Sequence, residues 1–212
     1  MSQSTHAALT SSVSPNWKTP DWLYKALNDE FGFALDLAAN PNDHKHHSYW
    51  LGPGSPIGID DALGPVPWPD IIDSLEVSAD PMRGLQGRAG FLNPPYSREE
   101  NLPIEPWIER AARESDHMVI VGLIPYSPQT RWWRKYIVGM DYRATEIRKF
   151  PYRLKFDPPD DYVGKASGAN VNTTVIIWRP SEDFIDPWVP HERYWNPGLH
   201  ERKRSNADDP DE

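Results

Sequence analysis

The residues of this chain best suited to chemistry are Asn93 and the three that follow it, Pro94, Pro95 and Tyr96. They come directly after an apolar run, 90–92, and two consecutive prolines end a strand because neither donates a ladder hydrogen bond. This predicts a rigid loop at a strand end, where open α/β folds bind their ligands. The Asn93 side-chain carbonyl, the Pro94 backbone carbonyl and the ring of Tyr96 suit a planar group that carries an NH2.

The segment Asn-Pro-Pro-Tyr resembles the catalytic motif of amino-group methyltransferases that use S-adenosylmethionine. The tetrad alone also occurs in glutamine and RNA methyltransferases. Over about residues 16 to 180, a more specific ordered set of segments is similar to the phage-type DNA N6-adenine methyltransferases (Dam-like). These segments are Trp17-Lys18-Thr19-Pro20, Phe33-Ala34-Leu35-Asp36-Leu37-Ala38-Ala39, Asp61-Ala62-Leu63, Asn93-Pro94-Pro95-Tyr96-Ser97 with Trp107 downstream, and Arg153-Leu154-Lys155-Phe156.

The resemblance implies transfer of a methyl group from S-adenosylmethionine to the N6 amino group of adenine in DNA. Asn93 and Pro94 would accept both amine hydrogens and aim the nitrogen lone pair at the methyl. Pro95 completes the rigid loop, and Tyr96 would stack on the base, which is worth ~1–3 kcal/mol. A base in a duplex must be flipped out to reach such a site.

Two acidic residues are candidates for the cofactor site. Asp36 lies near the C-terminal end of the predicted strand 33–37, where it would receive the cofactor's charged α-amino group or a neighbouring polar group; otherwise it is a helix N-cap or solvates the strand end. Asp61 would face the cofactor's ribose or adenine, or it only belongs to a turn. Ala38 stands where many methyltransferases have a Gly-rich loop, and its small side chain still allows close approach.

The resemblance also places an N-terminal segment along the cofactor pocket, namely Trp17, Thr19 and Pro20. On physical grounds alone, Thr19 and Pro20 form a good helix start, with Thr19 as N-cap and Pro20 as the first helical residue.

The charge balance argues mildly against a nucleic-acid partner, because the net charge is −9 and DNA binding depends on neutralising phosphates. The distribution of charge matters more. Residues 131–155, the basic run, hold eight basic and two acidic side chains, and they form either a DNA-binding face or a solvated one. The DNA-binding candidates are Ser97, Arg131, Arg134, Lys135, Arg153 and Lys155.

Composition limits the class of protein. No apolar run approaches 18 residues, so no membrane span is predicted, and the polar start is not a secretory signal. The chain has no cysteine, which fits a reducing cytoplasm, and the resemblance implies that of a bacterial or phage-infected cell. His44, His46 and His47 are closely spaced, but no cysteine or clear acidic ligand pattern accompanies them, so no metal site is predicted.

Periodicity predicts helices over 19–31, 103–114 and 128–138, and strands over 33–37, 48–51, 90–92, 118–124, 143–150 and 173–178. This alternation indicates an α/β fold with a mostly parallel central sheet flanked by helices. The family resemblance implies that this is a Rossmann-like methyltransferase fold. We predict a disordered leader (1–15), a methyltransferase domain (16–196) with an insertion or mobile loop (about 65–88), and a disordered acidic tail (197–212).

Two other classes of function remain open. The first is another enzyme in which the same two acceptors hold an NH2 group (the amine clamp), namely an RNA adenine or protein glutamine N-methyltransferase. The glutamine enzymes usually have the Gly-rich cofactor loop that is missing here. The second is a non-catalytic DNA-binding module on a methyltransferase fold, which the intact tetrad disfavours.

Overall fold

Six strands form one mixed sheet in the computed structural model, which describes residues 17–75, 88–95, 102–139, 144–158, 172–180 and 190–197. The helices are α1 (Asp21–Phe31), α2 (Trp68–Ser74), α3 (Glu105–Glu114) and α4 (Arg131–Tyr136). The strands are β1 (Phe33–Asp36), β2 (Ala89–Leu92), β3 (Val119–Pro125), β4 (Glu146–Lys149), β5 (Thr173–Trp178) and β6 (His191–Tyr194).

The strand order across the sheet is β1-β2-β3-β5-β4-β6. Only β5 runs antiparallel to its neighbours, so the other five strands point the same way. We call the side of the sheet where these five strands end the carboxyl edge. The α/β class and the mostly parallel sheet predicted from the sequence are therefore confirmed.

The sheet separates two apolar layers. Its centre, β3, is buried on both faces, as its nearly continuous apolar run predicts. Ile120 and Ile124 point into the layer shared with α2, α3 and α4, whereas Val121 and Leu123 point into the layer shared with α1. Helices thus cover both faces, and the loops at the carboxyl edge are held by a rigid core.

Helix α1 buries Leu23, Leu27 and Phe31, which share one face at helical spacing. Gly32 ends it in the left-handed conformation at φ 61°, which glycine adopts without strain. The prediction that Thr19 is the N-cap is wrong. The helix begins one residue later, with Pro20 as cap and no side-chain capping bond, because the Thr19 hydroxyl bonds elsewhere.

The chain between β1 and β2 differs most from expectation. The predicted strand 48–51 is reduced to one bridge, in which Trp50 pairs with Asp36. The predicted loop 65–88 contains α2, because Pro67 and Pro69 favour a helix start and Trp68 and Ile72 are fully buried. Residues 76–87 lie outside the described residues.

Strand β6 was not predicted, since all four of its residues are exposed and no apolar pattern marks it. Pro197, where we predicted the acidic tail to begin, is a buried turn residue. The rest of that tail and the predicted leader lie outside the described residues. Within the described ranges, no helix is long and apolar enough to cross a bilayer.

Candidate active site

The carboxyl ends of β1 and β2 lie at a topological switch point. Asp36, the last residue of β1, pairs with Phe91 of β2 on one side and with Trp50 on the other. The chain therefore leaves β1 towards one side and returns as β2 on the opposite side. Open α/β sheets bind ligands in the crevice outside the strand ends at such a point.

Asn93 lies at this crevice because it directly follows β2. Its side-chain Nδ2 donates a hydrogen bond of 2.9 Å to Oγ1 of Thr19, which is only 1% exposed. Pro94 is buried and Pro95 half-buried, so the loop is both stiff and packed. The structure thus brings together Asn93 and Thr19, which are 74 residues apart in the sequence. Tyr96 and Ser97 lie outside the described residues.

The side chain of Asp36 is buried at 2% exposure beneath the loop that follows β1. One carboxylate oxygen accepts the N–H of Ala38 at 3.3 Å, and the other accepts the N–H of Lys45 at 2.8 Å. Burial raises the pKa of Asp36 to about 7, and the two backbone hydrogen bonds oppose this only in part. A cation at this position would stabilise the ionised form.

Four polar residues around Asp36 were not predicted as site residues: Asp21, Tyr24, Asp43 and Lys45. The Tyr24 ring packs edge-on against Phe91 with centroids 5.2 Å apart. Burial, and then the charge of Asp36, raises the pKa of the Tyr24 phenol. Lys45 Nζ lies 2.8 Å from Asp21 and 3.6 Å from Asp43. Only Tyr24 had a signal in the sequence, its position next to Leu23 on the buried face of α1.

The remaining cofactor candidates occupy different places. Ala38 is half-buried and donates to Asp36, and Pro20 is buried beside Thr19. Trp17 is half-buried and packs against the apolar layer that contains α1. Asp61 is exposed in a surface turn, where its carboxylate accepts the Leu63 N–H at 2.9 Å.

The exposed cations predicted to bind DNA flank this edge in two groups. Arg131, Arg134 and Lys135 lie on α4, which follows the carboxyl end of β3, and Arg131 lies 3.5 Å from Glu105. Arg153 and Lys155 follow the carboxyl end of β4, and both are exposed.

The basic run is less uniform than its sequence suggests. Arg148 is only 1% exposed and is paired with Glu30 and Glu146. Lys149 Nζ lies 2.7 Å from Glu192. These two cations are therefore neutralised by acidic residues. Glu30 and Glu192 come from outside the basic run, and Glu146 from within it.

A groove of about 750 Å³ lies on the opposite side of the sheet, near the amino ends of β2 and β3. Four of its seven charged lining residues pair with one another. Arg88 forks onto Asp73, and Arg110 lies 2.8 Å from Glu114. Among the predicted site residues that the structure describes, none lines this groove.

Two of the three clustered histidines stack on neighbouring aromatic rings. His44 stacks on Trp50 with ring centroids 5.4 Å apart, and His46 stacks on Tyr49. In the part of the chain that the structure describes, no group of three or more His, Cys, Asp or Glu side chains is placed to hold a metal ion.

Comparison of the chain with protein-family models, curated proteins and solved structures finds no match.

The raised pKa of Asp36 predicts a pH-dependent stability that an asparagine would remove. The folded pKa of about 7 exceeds the unfolded value of about 4. The folded state therefore holds more protons between these values, and stability is lost as the pH rises through that window. From pH 5 to pH 8, we expect the wild type to lose roughly 2–3 kcal/mol of unfolding free energy relative to Asp36→Asn.

Urea denaturation of both proteins at several pH values measures this difference. Tyr24, Asp43 and Lys45 also face the Asp36 carboxyl, but they are present in both proteins, so the difference isolates Asp36. A wild-type-to-variant difference that stays constant from pH 5 to pH 8 would show that Asp36 is ionised throughout.

Proposed function

We propose that the chain transfers a methyl group from S-adenosylmethionine to the N6 amino group of adenine in DNA, on a Rossmann-like methyltransferase sheet. The observation that carries the proposal is the pair of neighbouring strand ends at the switch point. One ends in the buried carboxyl of Asp36, and the other in the Asn93 amide and two prolines. The first suits a cationic ligand group and the second an NH2 group.

The residues around Asp36 fit the ammonium end of this cofactor. The carboxyl is buried, and no side-chain hydrogen bond joins it to a cation within the described residues, since its two hydrogen bonds come from backbone N–H groups. Each oxygen keeps a second acceptor position. When bound, S-adenosylmethionine supplies the methyl group, and Ala38 leaves room beside the end of β1.

Asn93 and Pro94 would act on the target amine. The N6 amine of adenine is a poor nucleophile because its lone pair is delocalised into the ring. The Asn93 Oδ1 and the Pro94 carbonyl would each accept one amine hydrogen, which favours a tetrahedral nitrogen and directs its lone pair. Neither group is a strong base, so they orient the amine, and its proton leaves to solvent after attack.

The five exposed cations support a DNA partner for this site. They follow the carboxyl ends of β3 and β4, on the same edge as Asn93: Arg131, Arg134, Lys135, Arg153 and Lys155. Contacts from such residues to phosphates position a duplex without reading its sequence. A target base in that duplex would have to be extruded to reach Asn93.

One labelling experiment tests the proposal against its alternatives. The protein is incubated with methyl-labelled S-adenosylmethionine and a mixture of plasmid DNA, RNA and protein, which are then separated. We expect label in the DNA and N6-methyladenine after digestion to nucleosides. Label in RNA or in protein glutamine would instead support the related enzymes. Retention of DNA without any labelled product would support a non-catalytic binding module.

The cations of α4 predict a salt-dependent affinity for DNA. The logarithm of the binding constant should fall linearly with the logarithm of salt concentration, because phosphate contacts release counterions. Reversing the charges of Arg131, Arg134 and Lys135 to Glu should reduce the steepness of that line by up to about 2.7, at roughly 0.9 for each phosphate contact. Fluorescence anisotropy with a labelled duplex measures both slopes.

Two exposed cations away from the carboxyl edge provide the control, Lys25 on α1 and Arg113 near the end of α3. Their charge reversal should leave the slope close to that of the wild type. Equal slopes for the α4 variant and the wild type would mean that α4 is only a solvated face.

A further inference from the structure

We propose that Thr19 is a positioning residue, whose hydroxyl oxygen holds the Asn93 amide so that Oδ1 faces the target amine. The observation is the 2.9 Å hydrogen bond from Asn93 Nδ2 to Thr19 Oγ1. The inference rests on the proposed function and adds to it the residue that orients the catalytic amide. It also differs from the cofactor contact that the family resemblance implies for Thr19.

The orientation of the amide matters because its two ends are nearly equal in shape and opposite in chemistry. Oδ1 accepts hydrogen bonds, whereas Nδ2 donates them. Turned the other way, Asn93 would present its own NH2 to the NH2 of the target, and the clamp would lose an acceptor. The terminal torsion of asparagine is soft, so the side chain does not select the useful orientation by itself. An external partner for Nδ2 is therefore needed.

Thr19 can serve as this partner because its backbone is fixed on both sides. The preceding residue, Lys18, exchanges two backbone hydrogen bonds with Asp157, of 2.8 and 2.9 Å. The following residue, Pro20, accepts the N–H groups of Leu23 and Tyr24 at the start of α1.

Burial and the proline loop complete this arrangement. Thr19 is 1% exposed, so water has little access to compete for its oxygen. On the other side of the bond, Pro94 and Pro95 stiffen the chain after Asn93. Both partners are thus held before any substrate binds, as a preorganised site requires.

Two substitutions of Thr19 separate positioning from packing. Thr19→Val keeps the shape and removes the hydroxyl oxygen, and we expect kcat for DNA methylation to fall about tenfold. Thr19→Ser keeps the hydroxyl and should remain within about twofold of the wild type. The KM for DNA and the calorimetric Kd for S-adenosylmethionine should not change in either variant. Thr145→Val is the control, because it removes a hydroxyl that donates to Ile177 before β4, away from the carboxyl edge.

A double-mutant cycle tests whether Thr19 acts through Asn93. In an Asn93→Ala background, Thr19→Val should add nothing to the loss, because the group that it positions is gone. Equal losses in both backgrounds would overturn the inference and indicate a structural role. A weaker Kd for S-adenosylmethionine with unchanged kcat would overturn it in favour of a cofactor contact.

A readout independent of catalysis uses the side-chain NH2 signals of Asn93 in an NMR spectrum. Their exchange with water should be slow in the wild type and faster in Thr19→Val, because the bond that protects one hydrogen is lost. Equal exchange rates would contradict the inference. If the wild type methylates DNA and Thr19→Val matches it, only the role of Thr19 is wrong. If the wild type methylates no DNA, the proposed function fails, and this role with it.

Discussion

Asn93→Ala should lower kcat for DNA methylation by about 100-fold or more, a loss of roughly 2.7 kcal/mol of transition-state stabilisation. The substitution removes one of the two acceptors proposed to hold the target amine, and the Pro94 carbonyl remains. The fold should persist, because Asn93 lies half-buried in a loop and is not part of a β-strand. Cofactor affinity should change little, since Asp36 and its loop are untouched. Steady-state kinetics and calorimetry measure the two quantities separately.

A matched control is Asn28→Ala. The Asn28 side chain accepts the Phe33 N–H at 2.9 Å at the amino end of β1, which is the opposite end of that strand from the carboxyl edge. This variant should lose stability while kcat stays near the wild-type value. A kcat for Asn93→Ala close to that of the wild type would contradict the proposed amine clamp.

Arg148→Met should destabilise the protein by about 3 kcal/mol at neutral pH, because Glu30 loses its buried partner and Glu146 keeps only the more exposed Arg193. The guanidinium of Arg148 contacts Glu30 at 2.5 and 2.6 Å and Glu146 at 2.9 Å. It also lies over the rings of Phe31 and Trp195, at 5.4 and 5.2 Å from their centroids. This one side chain ties the end of α1 to β4. Urea denaturation at pH 7 measures the loss.

Two further variants separate the causes of that loss. Arg193 also pairs with Glu146 but is 43% exposed, so Arg193→Met should cost at most about 1 kcal/mol. Adding Glu30→Gln and Glu146→Gln to Arg148→Met should recover much of the stability, since it removes the two carboxylate charges that Arg148 balanced. A triple variant as unstable as Arg148→Met would mean that the lost packing of the guanidinium, and not the unbalanced charge of the carboxylates, causes the loss of stability.

The effect of Arg148→Met should also depend on pH. Burial alone would raise the pKa of Glu146, but hydrogen bonds and charges from Arg148 and Arg193 outweigh it, so the pKa lies below its ordinary value. A lowered folded pKa stabilises the protein above the unfolded value, here about 4, and this contribution is lost as the pH falls through the folded pKa. The gap between wild type and Arg148→Met should therefore narrow in acid.

The best predicted elements are those in which the sequence pattern of apolar residues follows directly from which faces are buried. The apolar run 118–124 became β3, and 173–178 became β5 without a shift, because both strands are covered on two faces. The amphipathic spacing of 103–114 predicted α3 to within two residues at its start. Asn93 and Asp36 were also placed correctly at strand ends, since prolines and a lone carboxylate mark such positions.

The remaining features depend on contacts between distant residues. Thr19 matched a helix N-cap by local rules, but its hydroxyl partner is Asn93, which no local pattern reveals. Arg148 belongs to the basic run, which was predicted to be a DNA-binding or a solvated face, but it is buried and bonded to Glu30, 118 residues away. Strand β6 carries only exposed side chains and forms because the edge of β4 provides backbone partners.

The position of β5 determines the order in which the sheet can be completed during synthesis. Its residues, Thr173–Trp178, are fifth among the strands along the chain but fourth across the sheet, between β3 and β4. While the ribosome is still making the first 172 residues, β3 has an unpaired backbone edge, and β4 has no strand through which to join it. An unpaired, apolar edge invites pairing with other chains. A nascent or shortened chain that lacks β5 should therefore depend on chaperones far more than the finished protein does.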